Sequence, residues 1–76
     1  MIDIKKLYYK IKALFLDHNN PYDEWTPYEI GILLAMHADG YSDATIGEVL
    51  YRSESAIYQR RMKLAREARK QNADTN

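Results

Sequence analysis

The tetrad Thr26-Pro27-Tyr28-Glu29 constrains this 76-residue chain more than any other feature, because it carries three separate signals for the start of a helix. Thr26 can cap the helix, Pro27 suits its first position, and Glu29 can reach back to the N–H of Thr26 to complete a capping box. Gly40 is the residue type that commonly follows a helix end. We therefore predict a helix from Pro27 to just before Gly40. Its inward side is expected to carry Ile30, Leu33, Leu34 and His37.

The first 20 residues predict an amphipathic helix. Apolar residues recur at three- and four-residue steps from Asp3, which can cap the start, to about His18. The lysines of this segment lie mostly off the apolar stripe. Asn19-Asn20-Pro21 should end the helix, since the residue before a proline disfavours helical geometry. The stripe consists of Ile4, Leu7, Tyr8, Ile11, Leu14 and Phe15.

Two further helices are predicted in the second half of the chain. Ser42 can cap a short helix over Asp43–Tyr51, and Ser53 can cap a last helix that begins at Glu54. That last helix meets no breaker before residues 71–76, a polar tail that we expect to be disordered. No segment shows the alternation of a strand, so the chain is predicted to be an all-α, four-helix protein. The apolar face of the short helix is expected to be Ile46, Val49 and Leu50.

The tight connection Arg52-Ser53 between the last two helices is typical of a helix-turn-helix, in which the second helix enters the major groove of DNA. The motifs in this region are Trp25-Thr26-x-x-Glu29, Gly40-Tyr41-Ser42, Ile46-Gly47-x-x-Leu50 and Arg52-Ser53-x-x-Ala56-Ile57-x-x-Arg60-x-x-x-Leu64. In this order they resemble the Myb/SANT-like tri-helical domain, in the short single-repeat form that includes the bacterial GcrA-like regulators. The resemblance covers residues 25–64. It implies that the third helix of the trio reads DNA, although some members bind histone tails or the transcription machinery instead.

The chain departs from that family in two respects. Gly47 stands where the family has alanine, and a glycine weakens a helix by up to ~1 kcal/mol relative to alanine. Trp25 is the chain's single tryptophan, whereas vertebrate Myb repeats have three.

An α-helix rotates by about 100° per residue, so the residues of the last helix can be assigned to an inner and an outer side. If Ile57 faces inward, Leu64 and Ala68 lie on the same side. On the outer side, Gln59 can form two hydrogen bonds with adenine, and Lys63 and Arg66 can meet phosphates or guanine. The alternative is an ordinary solvated helix face. The candidates for DNA contact are Arg52, Ser55, Tyr58, Gln59, Met62, Lys63 and Arg66.

Two other residues near this helix are expected to be structural. Trp25 should lie in the core between Leu64 and the helix that begins at Pro27. Arg60 should lie near Glu29, in an ion pair worth ~0–1 kcal/mol if it is exposed.

The net charge of zero conceals an uneven distribution. Residues 1–16 carry four lysines and one acid, residues 17–51 carry seven acids with no Lys or Arg, and residues 52–76 have a net charge of +4. A basic last helix can follow a phosphate backbone even in a neutral protein. The acidic middle segment would repel DNA unless it is turned away, and it motivates an alternative function in binding a protein.

Several classes are excluded or disfavoured. The chain has no cysteine, and its two histidines, His18 and His37, lack metal-ligand spacing with Asp17 and Asp39, so no metal and no cofactor are expected. No nucleophile, phosphate loop or cleft signature indicates an enzyme. No apolar run reaches the roughly 18 residues of a membrane span. We expect a soluble protein of the cytoplasm.

The sequence thus predicts an N-terminal amphipathic helix (residues 1–20) packed on a Myb-like helix-turn-helix domain (21–70), followed by a disordered tail (71–76). The predicted function is binding of double-stranded DNA, as a small transcriptional regulator of bacterial or phage type. The alternative is a SANT-like module that binds RNA polymerase, a sigma factor or another regulatory protein. The first helix either packs on the trio as a fourth helix or pairs with its copy in a second chain, so both a monomer and a homodimer fit.

Overall fold

The computed structural model describes residues 3–15 and 24–74, with side chains to residue 71, and no strand occurs among them. They form four helices, α1 (Ile4–Ala13), α2 (Pro27–Ala38), α3 (Asp43–Leu50) and α4 (Glu54–Asp74). The predicted all-α, four-helix architecture is confirmed. α1 ends short of His18, and the expected break at Asn19-Asn20-Pro21 lies outside the described residues. α4 continues to Asp74 and includes the first residues of the predicted tail.

Both ends of α2 are capped as the sequence predicts. The N–H of Glu29 donates to Thr26 Oγ1 at 3.1 Å, and the N–H of Thr26 donates to Glu29 Oε1 at 3.5 Å, which completes the capping box. At the other end Gly40 has a φ of 90°. Its N–H donates to the His37 carbonyl, and the N–H of Tyr41 donates to the carbonyl of Met36. These two bonds form a Schellman motif, which requires the left-handed conformation that glycine adopts without strain.

The buried side of α2 differs from the predicted one. Leu33 is buried as expected, but Leu34 is 48% exposed and His37 is also exposed. α2 carries apolar residues on nearly all sides, so periodicity alone did not identify the inward one. The side that faces the core carries Glu29, Ile32, Leu33 and Met36.

α3 has the predicted cap and core face, and its C-terminal end makes a tight turn. The N–H of Thr45 donates to Ser42 Oγ at 3.2 Å. α3 ends at Leu50 because Tyr51 adopts the left-handed conformation, with φ of 58°. The N–H of Arg52 then donates to the carbonyl of Gly47 at 2.9 Å. A Cβ at position 47 would collide with the backbone carbonyl oxygen of Arg52, so the turn into α4 closes directly over this glycine.

One core joins all four helices. α1 packs against α2 and α3, and α4 packs mainly against α3. Trp25, Tyr41 and Leu64 pack against the core and are partly buried. The buried apolar residues are Tyr9, Ala13, Ile32, Leu33, Met36, Ile46, Val49, Leu50 and Ile57.

α1 packs as a fourth helix on the bundle of α2, α3 and α4, but not through its apolar stripe. Tyr9 and Ala13 face the core, whereas the stripe lies on the opposite side, with Ile4 77% and Phe15 81% exposed. The Tyr9 hydroxyl donates to Asp39 Oδ2 at 2.6 Å, and this bond raises the pKa of Tyr9 to about 12. Such polar contacts with the loop after α2 orient the helix, and the sequence pattern did not reveal them.

Candidate nucleic-acid interface

The first half of α4 is held by its cap and by one buried side chain. The N–H of Ala56 donates to Ser53 Oγ at 3.1 Å, as expected for the capping residue. Ile57 is fully buried and Leu64 is half-buried, as predicted. Ala68 was predicted to face inward, but it is exposed because α4 extends past the core at that point. α4 has 21 residues and is about 30 Å long. Every residue from 66 to 71 is exposed, so the C-terminal part of the helix projects from the bundle.

The predicted outer face of α4 is brought together on one side of the helix. Of the seven candidates for DNA contact, six lie on α4; five of these are exposed, and Met62 is half-buried. Gln59 Nε2 donates to Ser55 Oγ at 3.3 Å, which orients the amide along the helix surface. The exposed residues of this face are Ser55, Tyr58, Gln59, Lys63 and Arg66.

A cleft lies beside this face, and the sequence did not predict it. It has a volume of about 310 Å³. Trp25 forms one wall, with the guanidinium groups of Arg52 and Arg60 at 4.2 and 5.3 Å from its ring centroid. Trp25 is therefore only partly buried, with its ring shared between the core and two cations, as in cation–π contacts. The lining residues are Trp25, Arg52, Ala56, Gln59, Arg60 and Lys63.

The partner of Glu29 is Arg52, and not Arg60 as predicted. Nε and Nη2 of Arg52 bind the two carboxylate oxygens of Glu29, with Nη2 at 3.0 Å from Oε1. Nη2 also donates to the carbonyl of Glu24 at 3.2 Å. Both side chains of the pair are nearly buried, at 11% and 8% exposure. Arg52 thus ties the start of α2 to the turn between α3 and α4, and its contact with DNA stays a prediction. The sequence pattern identified Glu29 as the acid of a capping box, and its burial, which calls for a cation, is visible only in the structure.

A second ion pair fixes α4 on α3. Arg61 Nε lies 2.7 Å from Asp43 Oδ1, and Arg61 Nη2 lies 2.8 Å from Oδ2. The Arg61 hydrogen bonds hold the pKa of Asp43 below its usual value, and they raise the pKa of Arg61. This two-point contact sets the rotation of α4, and with it the direction in which Gln59 and Lys63 point.

Internal ion pairs neutralise most of the acids in the described middle segment. Glu29 and Asp43 bind arginines, Glu48 lies 3.4 Å from the ammonium of Lys6, and Asp39 lies 3.9 Å from the ammonium of Lys5. In contrast, within residues 3–15 and 24–74 no ion pair engages the cations of the outer part of α4. These cations are Arg60, Lys63, Arg66, Arg69 and Lys70. The charge available to a partner is therefore more positive on α4 than the whole-chain sum suggests.

No group of three His, Cys, Asp or Glu side chains in the described ranges could hold a metal ion. Asp17 and His18, two of the four residues considered as ligands, lie outside those ranges. None of the described helices is both long and apolar enough to cross a membrane.

Comparisons with protein-family models, with curated proteins and with solved structures find no match for this chain. The Myb/SANT-like resemblance of residues 25–64 therefore stays a prediction that rests on its motifs.

Proposed function

We propose that this protein binds double-stranded DNA through the outer face of α4, in the control of transcription. The observation that supports the proposal is the set of cations on α4 that have no acidic partner in the described part of the chain. Two of them, Arg60 and Lys63, line the same cleft as the exposed Gln59. An exposed helix of this charge, standing out from its bundle, is what a major groove accommodates.

In this mechanism α4 lies in the major groove with its N-terminal half against the base edges. Gln59 turns its amide from Ser55 to the N6 and N7 atoms of an adenine, a pairing that carries sequence information. Lys63 and Arg66 bind phosphates, which position the helix without reading sequence. Arg60 lies at the edge of the Trp25 cleft and can reach the adjacent strand.

Arg52 and Arg61 act differently from the cations that meet DNA. Each is bound to an acid of another helix, and together they hold α4 in a fixed orientation. Preorganised side chains lose less entropy on binding, so these pairs favour recognition by fixing the orientation of α4. Because Glu29 and Asp43 are each paired with an arginine, the acidic middle segment also repels DNA less. For this reason we favour DNA over a protein partner.

The proposal is tested by fluorescence anisotropy with mixed-sequence duplex DNA over a salt series. Wild type should bind with micromolar affinity at low salt, and log K should fall with log salt with a slope of about −3 or steeper. Lys63→Ala should weaken binding to all sequences and make the slope shallower by about 1, since one phosphate contact is lost. Lys5→Ala is the control, because it removes from α1 a lysine that is 72% exposed and makes only a long ion pair, at 3.9 Å from Asp39.

Gln59→Ala should leave the salt slope unchanged and relax the preference at one base pair in a selected site, by about 1–3 kcal/mol. Absence of binding at low salt would refute the DNA proposal. Equal binding by wild type, Lys63→Ala and Gln59→Ala would show that α4 is not the contact surface. A protein partner that survives nuclease treatment would then support the alternative module.

A further inference from the structure

One face of α1 is packed against the core, and the opposite face is exposed. Tyr9 and Ala13 are buried in the core, whereas the apolar stripe on the other side is between 49% and 81% exposed. A surface helix normally turns its apolar side inward. α1 therefore presents its more hydrophobic side to whatever surrounds the protein. This stripe comprises Ile4, Leu7, Tyr8, Ile11, Leu14 and Phe15.

The area of this stripe is large for a chain of this size. Side chains of these types at these exposures offer on the order of 100–200 Å² each, so the six together offer roughly 800 Å². That is about what one partner contributes to a protein–protein interface of standard size. It exceeds the roughly 300–600 Å² of the largest apolar patch on a typical monomer.

The stripe continues into a groove between α1 and the end of α3. Leu7, Ile11 and Leu14 form one wall, and Val49 and Tyr51 form the other, around a volume of about 450 Å³. The groove thus lies next to a protruding apolar ridge on the same surface. Lys10 and Glu48, which carry opposite charges, also line it.

We propose that a second copy of this chain covers the α1 stripe and its groove, which gives a two-fold symmetric dimer. A two-fold interface brings the same patch of both subunits together, so the patch must complement itself. A ridge beside a groove meets that requirement in shape, with Lys10 and the Lys6–Glu48 ion pair at the edge. An anionic membrane surface fits less well, because the groove is concave and a flat bilayer would leave it uncovered.

The dimer is compatible with DNA binding and does not depend on it. α1 packs on α2 and α3, while the outer face of α4 is a separate surface. Association through α1 would therefore leave two copies of α4 available. The dimer is tested by measuring the mass of the protein in the absence of DNA. A failure of the dimer proposal is therefore distinguishable from a failure of the proposed function.

The test is sedimentation velocity of the full chain over about 1–500 μM, without DNA. Wild type should shift from 8.9 kDa to twice that mass, with a dissociation constant on the order of 10 μM. Ile11→Glu and Leu14→Glu should each raise that constant at least about 100-fold, because a charge enters the interface from both subunits. Leu34→Glu, at 48% exposure against 50% for Ile11, is the matched control and should dimerise as wild type does.

Circular dichroism melting of each variant separates loss of association from loss of fold, and Leu14→Glu, at 72% exposure, disturbs the monomer least. A monomeric wild type at 500 μM would overturn the proposal. Equal dissociation constants for wild type and the two α1 variants would overturn it as well, since the dimer would then use another surface. Binding of a monomeric wild type to vesicles of anionic lipid would assign the stripe to a membrane surface instead.

Discussion

Replacing Gly47 with alanine sets two effects of opposite sign against each other. Alanine in a helix interior is favoured over glycine by up to ~1 kcal/mol, and α3 is a short helix that would gain from it. However, the new Cβ would collide with the backbone carbonyl of Arg52. That carbonyl cannot move freely, because the N–H of Arg52 is bonded to Gly47 and its side chain is bonded to Glu29.

The steric term should exceed the gain in helix propensity. Insertion of a methyl group into a packed site costs about 1–3 kcal/mol, and loss of the turn hydrogen bond adds about 1 kcal/mol. Net destabilisation by Gly47→Ala should therefore be about 1–3 kcal/mol. For a domain of this length each 1 kcal/mol shifts Tm by about 4–8 °C, so Tm should fall by roughly 5–20 °C.

Gly31→Ala is the matched control, since Gly31 is an exposed helical glycine with no atom within 4 Å of the added Cβ. This variant gains helix propensity without a collision and should raise Tm by up to about 8 °C. Urea and thermal unfolding followed by circular dichroism measure both variants. Opposite signs are the expected result. A Gly47→Ala protein stabilised as much as Gly31→Ala would refute the claim that the turn closes over Gly47.

Two further variants test the polar contacts that position the helices. Arg52→Ala leaves the nearly buried carboxylate of Glu29 without its cation and should cost about 2–4 kcal/mol in urea unfolding; a loss below about 0.5 kcal/mol would contradict this. The pKa of Tyr9 is raised to about 12 by its bond to Asp39, so the stabilisation is present below pH 10 and is lost as pH rises toward 12. Tyr9→Phe should therefore lose less stability than wild type between pH 10 and 12 in urea unfolding, and an equal loss in the two proteins would contradict this.

The helix boundaries that were predictable are those set by short-range signals. The capping box at Thr26, the cap at Ser42 and the glycine at position 40 each satisfy backbone groups within a few residues of themselves. Such signals are complete in the sequence, because donor and acceptor are neighbours in the chain. The same holds for the outer face of α4, which follows from the helical period once Ile57 is taken as buried.

The orientation of α1 and α2 was not predictable in this way, because distant partners decide it. Glu29 turns inward to meet Arg52, 23 residues away, and Tyr9 turns inward to meet Asp39, 30 residues away. Hydrophobic periodicity identifies an amphipathic helix, but it does not say whether the apolar side meets this core or another surface. In α1 the stronger apolar pattern marked the outer side.

Charge counted along the sequence leaves out the ion pairs that form within the fold. The seven acids of residues 17–51 suggested a surface that repels DNA, but a charge acts on a partner only if no internal charge compensates it. Glu29 and Asp43 are bound by Arg52 and Arg61, so two of the cations counted toward the basic last segment are used to neutralise two of these acids. What remains exposed on α4 is a smaller set of cations, concentrated on one helix. The DNA proposal therefore rests on where the unpaired cations lie, and the net charge of zero has no bearing on it.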